Sequence, residues 1–121
     1  MLAQRILATS ALLATLSTAH ATRVLEQPER PYELSLQQVT LPSGTSGGVT
    51  VKPCEECAYS THVLTSGTQF VVNRQNVAFE DFKRIAEELR ARRTDRSTFV
   101  GLFVDVETGR VTRLTLRHNG L

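Results

Sequence analysis

The residues that most restrict what this chain can become are those up to Ala21. A single positive charge, Arg5, precedes an uncharged and mostly apolar run from Ile6 to Leu16, and the small-residue sequence Ala19-His20-Ala21 comes next. A charged start, a short apolar stretch and an A-x-A site in that order are the signature of a secretory signal peptide. The sequence therefore predicts a leader over residues 1–21, cleaved after Ala21. The competing readings are an ordinary amphipathic helix and a membrane anchor. An anchor needs ~20 consecutive apolar residues, and this run is shorter and already contains Thr9, Ser10 and Thr15. No cysteine stands near Ala21 to accept a lipid, and no paired arginines precede the run. The expectation is a secreted or periplasmic product that does not insert into a membrane once the leader is removed.

The chain beyond Ala21 is long enough for one small domain. All 12 Asp and Glu lie there, as do all but one of the 14 Lys and Arg, so the processed chain is close to neutral. A balanced charge sets up no global field to draw in nucleic acid or an anionic membrane, and neither is expected as a partner. A domain of ~100 residues buries roughly two-thirds of the surface its unfolded chain exposes, which leaves its stability marginal and makes a single covalent link matter.

Residues 22–33 are read as a flexible leader, because Glu26, Gln27, Pro28, Glu29, Arg30 and Pro31 give the segment little to bury. A single domain is expected over 34–121. Leu34 and Leu36 alternate with polar neighbours, and Val39 and Leu41 do so on shifted parity, which calls for a bulge or break near Gln37 and Gln38. Ser43 to Gly48 holds three glycines and reads as a loop. Val49 to Lys52 and Tyr59 to Leu64 read as strands, and Ser66-Gly67 as a tight turn into a strand over Gln69 to Val72. Asn73 and Asn76 mark a polar reversal before the helix.

Helical spacing is clearest at Phe79, Phe82, Ile85, Ala86 and Leu89, with charged residues on the opposite side. Glu80 and Asp81 open this helix and Arg90, Arg92 and Arg93 close it, which suits the backbone dipole at both ends. Glu80 with Arg84 and Glu88 with Arg92 are i,i+4 pairs in the favourable order. Arg90, Arg92, Arg93 and Arg96 could also form an anion patch, a reading that the neutral total disfavours. Phe99 to Val106 and Val111 to Leu116 flank Glu107-Thr108-Gly109-Arg110 as a hairpin, with Gly109 supplying the left-handed residue. The fold class expected is α+β: a small antiparallel sheet of about five strands, including this C-terminal hairpin, packed against one amphipathic helix.

One constellation could carry chemistry, Pro53-Cys54-Glu55-Glu56-Cys57. In an oxidising compartment two thiols pair by default. An extended chain would hold the two Cα atoms ~10 Å apart, and a disulfide needs less than ~7 Å, so the segment must turn, with the reversal at Glu55 and Glu56 after Pro53. Three readings compete: a disulfide-clamped turn, a redox pair and a metal site. Reactive CxxC thiols stand at a helix N-terminus, which lowers the thiol pKa; here a strand comes after the pair, and Glu55 and Glu56 would raise the thiolate's pKa by like charge. A structural zinc site wants four Cys or His ligands, and only His62 and His118 join Cys54 and Cys57 after Ala21, at weak spacing. The expectation is therefore a Cys54–Cys57 disulfide, with Cys54, Cys57 and His62 as weak metal candidates and no cofactor. No glycine-flanked serine elbow or phosphate-cradling glycine loop is present.

The helix followed by Phe99-Val100-Gly101-Leu102-Phe103-Val104-Asp105-Val106-Glu107-Thr108-Gly109-Arg110-Val111 resembles the PepSY-type modules of secreted bacterial proteins. These also pair a helix with strands that carry an Asp-x-x-Thr-Gly-x-Val turn. The likeness covers the helix and hairpin, has no counterpart for the cysteine-bearing half, and carries no functional residue over. The function expected is a non-enzymatic binding or envelope-accessory domain, with another envelope protein as a candidate partner. The alternative is a periplasmic thiol-disulfide or metal-handling protein that uses the same cysteine pair.

Overall fold

Helix α1 spans Phe79–Ala91 and buries Phe79, Phe82, Ala86 and Leu89, with Ile85 half covered, which is the stripe its spacing predicts. No side chain caps its N-terminus at Ala78, and Glu80 and Asp81 sit in the first turn beside the unpaired amides. The C-terminus closes with Arg93 in the left-handed region at φ 58°. Thr94 N donates to Leu89 O and Arg93 N to Arg90 O, the reciprocal pattern of a Schellman stop, here without glycine. The surface ion pairs differ from the expected ones, because Arg84 reaches Glu88 at 3.2 Å and Asp81 at 3.7 Å rather than Glu80. One side chain thereby serves two carboxylates.

The computed structural model describes residues 28–120. The expected signal peptide, its cleavage after Ala21 and the leader as far as residue 27 lie outside the described residues. The strands are β1 (Glu29–Ser35), β2 (Val39–Thr40), β3 (Gly48–Val51), β4 (Ser60–Val63), β5 (Gln69–Val72), β6 (Gln75–Val77), β7 (Phe99–Asp105) and β8 (Val111–Arg117). Fold class is α+β with a C-terminal hairpin, as expected, but the strands make two sheets and not one. One has five strands in the order β1-β7-β8-β5-β6; the other has three, in the order β2-β3-β4.

The larger sheet is mixed, since β5 runs parallel to β8. Its reversals explain this: β5–β6 and β7–β8 are antiparallel pairs, and α1 returns across the face between them, so β8 ends up running with β5. The turn into β6 uses Asn73 and Arg74, both at positive φ, a two-residue hairpin that matches strand twist. The polar reversal expected there is thus tighter than the sequence suggested, and Gln75 to Val77 joins the sheet. Ser66-Gly67 turns the chain as expected, yet β4 and β5 belong to different sheets, so it links them and makes no hairpin. Thr68 is buried at this link, where its hydroxyl donates to Val111 O at 2.7 Å and accepts from Thr65 N at 2.9 Å.

Strand β1 corrects the flexible-leader reading for residues 29–33. Glu29 pairs with Asp105 and the register continues to Ser35 with Phe99, so these polar residues are ordered through the backbone of β7 with little side-chain burial. The parity shift near Gln37 and Gln38 is one 3-10 turn, Leu36–Gln38, that carries the chain from the larger sheet to the smaller. Arg90, at the end of α1, donates to the carbonyls of Leu36 and Val39 and ties helix to turn. A single apolar core results: Leu36, Val39, Val49, Val51 and Leu64 from the smaller-sheet half join Phe82, Leu89, Leu102 and Leu114. Phe70 meets Phe79 and Phe82 with ring centroids 5.2 and 5.7 Å apart, within the range of favourable tilted pairs.

Candidate functional site

Cys54 and Cys57 form a disulfide, with Cα atoms 5.0 Å apart and Cys57 N donating to Cys54 O at 3.2 Å. The reversal falls at Glu55 and Glu56, as the spacing requires. This turn lies in the loop between β3 and β4, and no helix starts there, so no backbone dipole is aimed at either sulfur. Gln38 fixes the loop from the neighbouring turn: its Nε2 donates to Pro53 O at 2.9 Å, and its Oε1 accepts from Ser35 N at 2.9 Å. Lys52 N also donates to Gln38 O, and Lys52 Nζ stands 5.2 Å above the ring of Tyr59. Beside the disulfide is an open hollow of about 460 Å3, whose walls include Gln38, Lys52, Cys54 and Tyr59. Cys54 and both glutamates are exposed.

The histidines stand apart from this loop's chemistry. His62, on β4, bonds Ser60 Oγ through Nε2 at 3.1 Å and packs against Tyr32 of β1 with centroids 5.5 Å apart. Partial burial lowers its pKa from 6.5, because desolvation disfavours the charged ring. His118 follows β8 on the other sheet, where its N donates to Asn73 Oδ1 and its Nδ1 accepts from Gly120 N. Both sulfurs are in the disulfide, and no group of three or more His, Cys, Asp or Glu converges on a metal-sized space among the described residues. Asp105 acts locally, since its Oδ1 accepts from the amides of Glu107 and Thr108 and shapes the turn that ends at Gly109, φ 72°. No helix among the described residues is long and apolar enough to cross a membrane.

The feature that sequence reasoning missed is the outer face of the larger sheet. Its inner face presents Leu34, Val100, Leu116 and Val72 in one row and Leu102, Leu114 and Phe70 in the next, toward the core. The outer face presents Phe99 and Phe103 on β7, Arg113, Thr115 and Arg117 on β8, and Glu33 on β1. No described element covers it, and Phe99 is 41% exposed. Gly101 lies between the two rings because nothing larger fits: a Cβ there would stand 2.5 Å from Thr115 Oγ1 and 3.2 Å from Phe103 Cε2. The guanidinium of Arg113 lies 4.0 Å over the Phe103 ring, a stacking that fixes its plane. A shallow hollow of about 240 Å3 above these residues is lined by Arg74, Arg113 and Arg117 with no carboxylate among its walls. None of the three arginines has a carboxylate partner among the described residues. The signal was present as Phe-x-Gly-x-Phe on one strand and Arg-x-Thr-x-Arg on its neighbour, each placing three residues on one face. Set beside known proteins, the chain matches no family model, no curated protein and no solved structure.

Proposed function

We propose that this chain is a non-enzymatic binding domain of the cell envelope or extracellular space, which engages its partner through the outer face of the five-stranded sheet. The observation that carries this reading is the pairing of exposed Phe99 and its neighbour Phe103 with arginines that have no carboxylate partner, on a sheet face that no other described part of the chain covers. Apolar rings rimmed by charge on one surface are the composition of a docking patch. The cysteines serve this reading as a clasp on the β3–β4 loop, on the other sheet.

The test is made in cells that express the full chain. A photo-reactive phenylalanine analogue in place of Phe99 should give discrete cross-linked species, and the same analogue at Glu87, exposed on the helix, should give none. The recovered protein should lack residues 1–21 by intact mass and lose its disulfide only with reductant. Equal cross-linking at the two positions, or a full-length chain retained in the cytosol, would overturn the reading. Thiol-disulfide handling remains the second reading, favoured by one observation, the exposure of Cys54. A purified protein that reshuffles a disulfide-scrambled substrate with multiple turnovers, and loses this with Cys54→Ser, would establish it instead.

A further inference from the structure

The charges on the outer face are sorted into stripes. Strand β1, at one edge, contributes the carboxylates of Glu29 and Glu33, while β8 contributes Arg113 and Arg117, and β7 between them carries Phe99 and Phe103, with Asp105 at its end engaged by the amides of Glu107 and Thr108. We infer that this face is self-complementary and that its partner is a second copy of this chain, docked face to face about a two-fold axis along β7. The inference rests on the proposed docking role of the face and names the occupant.

The register supplies the geometry. Rotation about an axis along β7 lays β7 on β7 and places β1 of one copy over β8 of the other. Glu33 is level with Gly101 and Thr115. It therefore falls over Thr115 of the second copy, between Arg113 and Arg117, each two residues or ~7 Å along the strand. The two-fold repeats this contact, so each copy gives one carboxylate and receives one. Phe99 meets Phe99 and Phe103 meets Phe103 at the centre, where sheets packed at ~10 Å spacing interdigitate their side chains. An acidic partner of another kind would meet Glu29 and Glu33 along one edge of the same face, which disfavours it.

Only β1, β7 and β8 of each copy lie opposite the other, so three strands at ~4.8 Å spacing and up to ~24 Å long bury on the order of 700 Å2 in both copies, the size of a weak and transient contact. The dimer is thus concentration-dependent, and its rim charges make it salt-sensitive.

Sedimentation velocity on the purified protein tests this. The mass should rise from monomer to dimer between about 10 μM and 1 mM, the range of a weak association, with a midpoint several-fold higher in high salt. Glu33→Arg alone and Arg117→Glu alone, both changes at exposed residues, should each leave the protein folded and monomeric over the same range. An equimolar mixture of the two variants should recover the dimer, because each mixed pair has one native and one swapped contact. A wild-type protein monomeric at every concentration, or a mixture no more associated than its parts, would overturn the inference. In-cell cross-linking from position 99 to a different species would then still support the docking reading, so the two failures are distinguishable.

Discussion

The two sheets are stabilised by different means. The five-stranded sheet packs against α1 with large buried side chains, among them Phe82, Leu102 and Leu114, whose removal from water is the dominant favourable term. The three-stranded sheet is small, adds only Val39, Val49 and Val51 to the core from its strands, and leaves β4 exposed at Thr61 and Val63. Its order comes from local ties: the Cys54–Cys57 link, the two bonds of Gln38, and the Thr50–Thr61 hydroxyl pair at 2.9 Å. A domain of this size can therefore build one part from burial and hold another to it by a few short-range constraints.

The largest test of that contrast is Phe82→Ala. Phe82 is fully buried on the core side of α1, and truncation should cost about 4 kcal/mol, a large share of the ~5–15 kcal/mol of a whole domain. Thermal unfolding followed by circular dichroism should have its midpoint lowered by about 20 °C; a cooperative transition within a few degrees of wild type would break the comparison. The double change Cys54→Ser with Cys57→Ser should cost about 2 kcal/mol, since the loop it opens is short. Amide exchange should quicken in β3 and β4 well beyond the change in β7 and β8, and a uniform increase would show that the clasp acts on the whole fold. Gln38→Ala, which frees Ser35 N and Pro53 O, should cost about 1 kcal/mol and loosen the same loop with the disulfide intact.

The smallest effect concerns the seam where Tyr32 of the larger sheet meets His62 of the smaller. The folded pKa of His62 lies below 6.5, so on acidification the unfolded chain binds a proton first. Stability should fall as pH drops from about 7 through 6.5, and level off once the folded ring is also protonated. His62→Gln should flatten this slope in urea titrations at successive pH values. A slope that survives the substitution would move its origin elsewhere.

Much of the burial-driven region was legible in the sequence. The helix stripe and the hairpin ending at Gly109 follow from residue spacing and one left-handed position, both local properties. Strand β1 was not legible, because Glu29, Arg30, Pro31 and Glu33 carry no apolar pattern and owe their order to the backbone of β7, far along the chain. For the same reason the parallel β5–β8 pair and the division into two sheets were hidden: pairing partners are set by long-range packing. The cysteine turn was readable from chain geometry, since two thiols three residues apart can meet only through a reversal. The outer face was not, because Phe99 and Phe103 look like core residues until it is known on which side the helix lies.

The pairing of β1 with β7 also bears on how the chain comes to be complete. Glu29 finds its place opposite Asp105, so the first strand of the domain waits for nearly the last one to be synthesised. Contacts this distant along the chain slow folding, and a polypeptide emerging from its amino end cannot close this sheet early. Such a late-closing edge leaves the larger sheet incomplete until β7 has been made.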